Sequence, residues 1–162
     1  MSMSLATHVW RPSCARRLVL DGFLPVPRGS VPAAPAPLAW PAKDPADVLD
    51  YEFDISAALL GNAGDGIASL SVAISPNGAG DVVLNSSTAD GAVVVLWLSG
   101  GQAGTTYTVR ITAATQSGRT IGRAVLLPVL ALAAPIVPAG ALTTLAGAVI
   151  TDQNGNPILL GS

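Results

Sequence analysis

Five carboxylates crowd one short stretch of the chain: Asp44, Asp47, Asp50, Glu52 and Asp54. In an extended strand, Asp50, Glu52 and Asp54 project to one face. Paired carboxylates at such spacing can perform acid/base work or bind calcium. A row of like charge can also shield an edge strand from mispairing, and this structural reading is preferred. Asp152-x-Asn154-x-Asn156 starts like a calcium loop, but its glycine is out of place and the sequence supplies no closing Glu. It is expected to be a turn. His8 and Cys14 are the only residues of their types. A zinc site needs three or four ligands, and a nucleophilic constellation needs rigid positioning. Neither residue meets its condition, because both fall in a Pro-rich arm. No catalytic, cofactor-binding or metal-binding residue is assigned.

The segment Gly101–Val109 (GQAGTTYTV) is glycine-rich, yet it lacks the lysine and the hydroxyl in register of a phosphate-binding loop. Its pattern resembles the corner of fibronectin type III and Ig-like sandwiches, where a tyrosine hydroxyl bonds back to the backbone upstream. Tyr107 takes that role here, with Gly100 and Gly101 forming the corner. Trp97 is expected to fill the core beside it.

These residues must be held by strands. Short apolar-alternating runs recur about every 8–12 residues between turn signals, the pattern of an all-β sandwich. Strands are predicted over 51–55, 67–74, 82–84, 92–98, 105–115 and 120–130. Asn85–Ala89 is expected to be a loop, and Ala57–Leu60 the one place for a helical turn. Gly118 and Arg119 close the last hairpin, where Gly118 can take positive φ. Residues 1–39 read as an extended arm, because Pro alternating with small residues favours polyproline II. Arg16–Leu20 is its one candidate strand. Residues 40–132 form the sandwich. Residues 133–162 form an Ala/Pro linker and a C-terminal hairpin turning at Asn154-Gly155. An isolated hairpin is marginal in water, so it is expected to dock on something. No convincing internal repeat is apparent.

Composition narrows the function. Half of the 162 residues are hydrophobic, while aromatics reach 4% and charged residues 11%, against a usual charged fraction of about 25%. So little charge favours association, and a surface covered by protein partners is expected. Net charge is −2, and no basic stripe exists to neutralise phosphates, so nucleic acid is not an expected partner. One cysteine cannot form an intramolecular disulfide, which suits assembly in a reducing cytoplasm. The start MSMSLATHVWRPSCARR lacks an unbroken apolar run after a basic one, so a signal peptide is not expected. Residues 124–150 are uncharged and long enough to span a bilayer. Pro128, Pro135 and Pro138 argue against a helix there, and a last strand running into a linker is preferred. Candidate partner-binding residues are Trp10, Arg16 and Arg17 in the arm and Ile158, Leu159 and Leu160 in the tail.

Residues 40–132 resemble the small phage proteins called fibre–tail adaptors, a family of Ig-like virion components. The resemblance is carried by WPAKDPADVLDY (40–51), GDGI (64–67), VLWLSGGQAGTTYTV (95–109) and GRTI (118–121). It implies a structural protein of a tailed phage or prophage, standing between tail or neck and fibres. Its partners would be other virion proteins, met in multiple symmetric copies, and it would need no cofactor. The alternatives are an Ig-like adhesin or carbohydrate-binding module, disfavoured by scarce aromatics, and a membrane-anchored domain using residues 124–150.

Overall fold

The computed structural model describes residues 12–20, 28–29, 36–62, 64–133, 140–145, 149–154 and 156–160. Two compact units divide the chain, 1–132 and 133–162. The first is an all-β sandwich of two four-stranded sheets. Its strands are β1 (Arg17–Val19), β2 (Leu38–Ala39), β3 (Leu49–Asp54), β4 (Ile67–Ser75), β5 (Val82–Asp90), β6 (Val93–Gly100), β7 (Thr105–Thr115) and β8 (Thr120–Val129). One sheet runs β1-β3-β6-β5 and the other β2-β8-β7-β4. Single 3-10 turns span Cys14–Arg16 and Ser56–Leu59, the second falling where a helical turn was expected.

The core follows strand periodicity. Tyr51 and Phe53 of β3 and Val94, Leu96 and Leu98 of β6 face Tyr107, Val109 and Ile111 of β7 and Val125, Leu127 and Val129 of β8. All eleven are buried. Side chains alternating across each strand place these residues between the sheets, and their burial is the main favourable term of folding. Trp40 closes one side of this core, its ring 5.2 Å from that of Tyr51 and its indole Nε1 donating to the Glu52 carbonyl at 2.9 Å.

Four features depart from the sequence reading. The sandwich is not wholly antiparallel: β1 pairs parallel with β3, and β2 parallel with β8. Both short strands come from the segment read as an extended arm, β1 within its candidate strand Arg16–Leu20 and β2 where no strand was expected, and Leu20 just beyond β1 is buried in the core. Asn85–Ala89 is not a loop. It continues β5 against β6 past an irregularity between Leu84 and Ser86. The polar composition that suggested a loop reflects an exposed sheet edge instead, where side chains need not be apolar. Trp97 is not in the core. The register that turns Leu96 and Leu98 inward turns Trp97 outward, where it is half-buried, and Trp40 fills the interior instead.

Lys43 is fully buried, a placement the sequence reading missed. Its backbone bridges Val129 of β8, while its ammonium donates to the Asp44 carbonyl at 2.7 Å and to the Gly100 carbonyl of β6 at 2.6 Å. One side chain thereby ties the two sheets together. Burial pushes its pKa down, opposed by the nearby carboxylates Asp47 and Asp44.

The second unit is small. Three segments, 141–143, 149–151 and 157–159, meet through antiparallel bridges Ala141↔Leu159, Thr143↔Val149 and Thr151↔Pro157. The turn between the last two is tied by Asp152, whose Oδ1 accepts from the amides of Asn154 at 2.8 Å and Asn156 at 2.9 Å. Antiparallel pairing flanks residues 152–156, and a third segment joins it. Residue 129 ends the last strand of the sandwich, and among the described residues no helix is long and apolar enough to cross a membrane.

Replacing Lys43 by Met should cost about 2–4 kcal/mol, because two inward carbonyls lose a charged donor. Urea unfolding measures the loss. A lysine with a depressed folded pKa makes stability rise as pH climbs from that folded value towards the unfolded 10.5. This alkaline increment should be present in the native protein and absent from Lys43→Met.

Candidate functional site

β3 carries two kinds of residue by turns. Tyr51 and Phe53 point into the core, so Asp50, Glu52 and Asp54 share the opposite face. That face is covered: the three carboxylates are only 4–5% exposed. The preferred reading of a solvated edge is therefore overturned. β3 is an inner strand, with β1 as the edge, and buried carboxylates require partners.

The arm supplies them. Arg16 pairs its guanidinium with Asp50 Oδ1 and donates from Nε to the Asp50 carbonyl at 2.6 Å. The Ser13 amide donates to Asp50 Oδ2 at 2.5 Å. Arg17 reaches Asp54 Oδ2 from Nη2 at 2.5 Å and from Nε at 3.2 Å, and its Nη1 stands 3.6 Å from Glu52 Oε2. Burial raises the pKa of Asp50 and Asp54, yet the bonds from Ser13 and Arg16 to the first, and from Arg17 and Ser56 to the second, hold both below the ordinary value. The Arg16 guanidinium also lies 5.9 Å from the Tyr51 ring centre. Burial lifts the Tyr51 hydroxyl to about 12, and that hydroxyl has no hydrogen-bond partner in the structure. Asp50 and Asp54 are saturated in this way and are not poised for acid/base chemistry, while Glu52 Oε2 is buried without a hydrogen-bond partner and has the Arg17 guanidinium beside it.

The corner is a second polar cluster. Gly100 and Gly101 adopt φ of +69° and +103°. A Cβ on Gly101 would stand 2.8 Å from Val82 Cγ2 and 2.9 Å from Val129 Cγ2, so the backbone passes where only glycine fits. The Tyr107 hydroxyl accepts from the Gln102 amide at 2.9 Å, five residues upstream, and donates to Asp81 Oδ1 at 2.7 Å. Asp81 in turn accepts from Gln102 Nε2 at 3.2 Å and from the Gly78 amide at 2.7 Å. Burial pushes the Tyr107 pKa up. Asp81 was missed in the sequence, where it stood only as the residue after a turn, with nothing in its spacing to point at Tyr107.

At the last hairpin, Gly118 has φ of +83°. Arg119 donates from Nη1 to Asp65 Oδ2 at 2.8 Å and from Nη2 to Asn62 Oδ1 at 2.6 Å. The Ser117 amide adds a bond to Asp65 Oδ1 at 3.0 Å. The hairpin thus clasps the loop before β4.

The structure therefore places Arg16 and Arg17 on carboxylates of the same chain. Trp10 lies outside the described residues. Ile158, Leu159 and Leu160 are 40%, 55% and 67% exposed. Among the described residues, the corner, the hairpin clasp and the arm occupy different parts of the first unit.

A family model described as "Podophage GP4 fiber-tail adaptor protein gp77" matches residues 43–128, more than half of the chain. The chain belongs to this family. Its role is accordingly that of a structural phage adaptor, which is not an enzymatic one. The match starts on the sheet-tying Lys43 and ends within β8, so it takes in β3 to β7 entire. The resemblance seen in the sequence is the same family. A search of the curated proteins returned no match.

Two outcomes follow from this geometry. Tyr107→Phe should lower stability by about 1–3 kcal/mol, since Asp81 loses a buried donor and the Gln102 amide its acceptor, as read from chemical unfolding. Asp50 and Asp54 have depressed folded pKa values, so their stabilisation is present above the unfolded carboxylate pKa of 3.8 and is lost as pH falls through the folded values. Arm docking should weaken in that acidic window, seen as faster hydrogen exchange at Leu18 and Leu20 than at Val109 and Ile111.

Proposed function

We propose that this protein is a structural component of the virion of a tailed phage that joins the tail or neck to the fibres by protein–protein contacts. The family match over residues 43–128 carries this reading. The distribution of charge supports it. Arg16, Arg17, Lys43 and Arg119 are spent on partners within the chain. Exposed aliphatic residues remain on the second unit, among them Leu145, Leu159 and Leu160. A surface of this kind is stable when partners cover it. The proposed partners are other virion proteins, met in several symmetric copies, without nucleic acid and without a membrane. The corner built on Tyr107 supports an Ig-like reading of the sandwich. An adhesin or carbohydrate-binding module would need aromatic rings on its surface, whereas Trp40, Tyr51, Phe53 and Tyr107 are buried.

Peptide mass spectrometry of purified particles should detect the chain at a stoichiometry matching the symmetry of the tail. Deleting its gene should give particles with filled heads and tails but no fibres, visible by electron microscopy, and with adsorption lost. Particles that lack the chain, or that keep their fibres without it, would overturn the adaptor reading.

A further inference from the structure

The second unit has a bonding pattern that its family assignment does not explain. The Leu142 amide donates to the Ile158 carbonyl at 2.8 Å, the Ile158 amide to the Ile150 carbonyl at 2.9 Å, and the Ile150 amide to the Leu142 carbonyl at 2.8 Å. The three bonds close a ring. Around it stand the three bridges, each joining a residue before one centre to a residue after another: Ala141↔Leu159, Thr143↔Val149 and Thr151↔Pro157. The centres lie eight residues apart, at 142, 150 and 158, and each is a branched aliphatic residue. Three short ladders therefore radiate from a common point. Advancing every position by eight residues carries the pattern into itself, with the chain entering and leaving along the third ladder. This short repeat is invisible as a sequence motif, because only the central aliphatic and its bonding geometry recur.

The topology is that of a three-pointed star with a threefold axis. A rotation about that axis keeps each side chain on the same side, so Leu142, Ile150 and Ile158 share one end of the star. Ile150 and Ile158 are 38% and 40% exposed. Asp152 is the only charged residue between 133 and 162, and its carboxylate is tied to Asn154 and Asn156 of its own turn. The end of the star is thus uncharged and aliphatic. Three residue-long ladders bury too little to be stable without a partner.

We propose that this star caps the threefold axis of a homotrimeric virion protein, with one copy of this chain per trimer. The inference rests on the adaptor reading and names the symmetry of one of its partners. Identical subunits around a threefold axis present the same surface three times. A star whose centres repeat every eight residues offers each subunit the same aliphatic contact, and three weak contacts act together as one strong one. The uncharged end fits an uncharged aliphatic ring on the trimer, since a desolvated unpaired charge there would be costly.

The test places an aliphatic diazirine amino acid at Leu142, Ile150 or Ile158, one position at a time, in the full chain assembled into particles. After irradiation, all three positions should capture the same peptide of a single protein, and native mass spectrometry of that complex should give three partner chains to one adaptor. Ile150→Asp should reduce capture at position 158 by at least about tenfold while leaving the unfolding midpoint of the sandwich unchanged. Different peptides from the three positions would overturn the proposal, as would capture of this chain's own sandwich or of a second star. Divergent capture by a chain that is present in particles removes only the threefold partner. Absence of the chain from particles removes the adaptor reading and this inference with it.

Discussion

Strand periodicity imposes a conflict on β3 that the rest of the first unit resolves. Its odd-numbered residues, Tyr51 and Phe53, are the large side chains around which the two sheets close. Its even-numbered residues are then fixed on the opposite face, and all three are acids. Turning the strand over would bury acids in the core and expose the rings. Keeping it in register leaves three carboxylates side by side, where mutual repulsion and desolvation both cost free energy. The arm answers both costs. Two adjacent arginines and one amide hydrogen-bond Asp50 and Asp54, Arg17 stands as counter-ion to Glu52, and β1 occupies the free edge of β3. The arm is therefore a working part of the sandwich.

Elsewhere the sandwich is finished by polar side chains where a disulfide or a cluster of rings would otherwise serve. Lys43 ties β6 to β8, Tyr107 and Asp81 lock the corner to the turn before β5, and Arg119 clasps the loop before β4 to the last hairpin. Each uses a long side chain to reach backbone or a carboxylate across a gap between elements. Such bonds add little net stability when made, but they are expensive to break once buried. They therefore fix which loops meet, while the aliphatic core supplies the driving force. A chain with one cysteine and 4% aromatics has few other means of setting loop geometry.

This economy of charge bears on the adaptor role. Many ionisable groups of the first unit face inward or each other, so few are left to make a charged exterior. That arrangement suits a structural phage adaptor of this family, because a surface with few unpaired charges is covered by neighbours at a lower desolvation cost. The first unit is closed upon itself by ion pairs, and the second exposes aliphatic residues on a frame of backbone bonds.

Alternation and turn chemistry determined, from the residues alone, the all-β class, most strand positions and the last hairpin. These are local: a period of two and a glycine at positive φ act within a few residues. The bond that Tyr107 makes upstream was legible only through the resemblance of its segment to an Ig-like corner. The family was also legible, through WPAKDPADVLDY, VLWLSGGQAGTTYTV and GRTI. Only the tertiary structure decided the rest. Whether β3 lies at an edge depends on a strand more than thirty residues away, and no local pattern says that Arg16 and Arg17 will be the ions that cover it. Burial of Lys43, outward rotation of Trp97 and continuation of β5 through Asn85–Ala89 follow from the register between strands, which composition does not encode. The ring joining Leu142, Ile150 and Ile158 is of the same kind. It exists in backbone bonds among distant residues, and backbone groups are alike in every sequence.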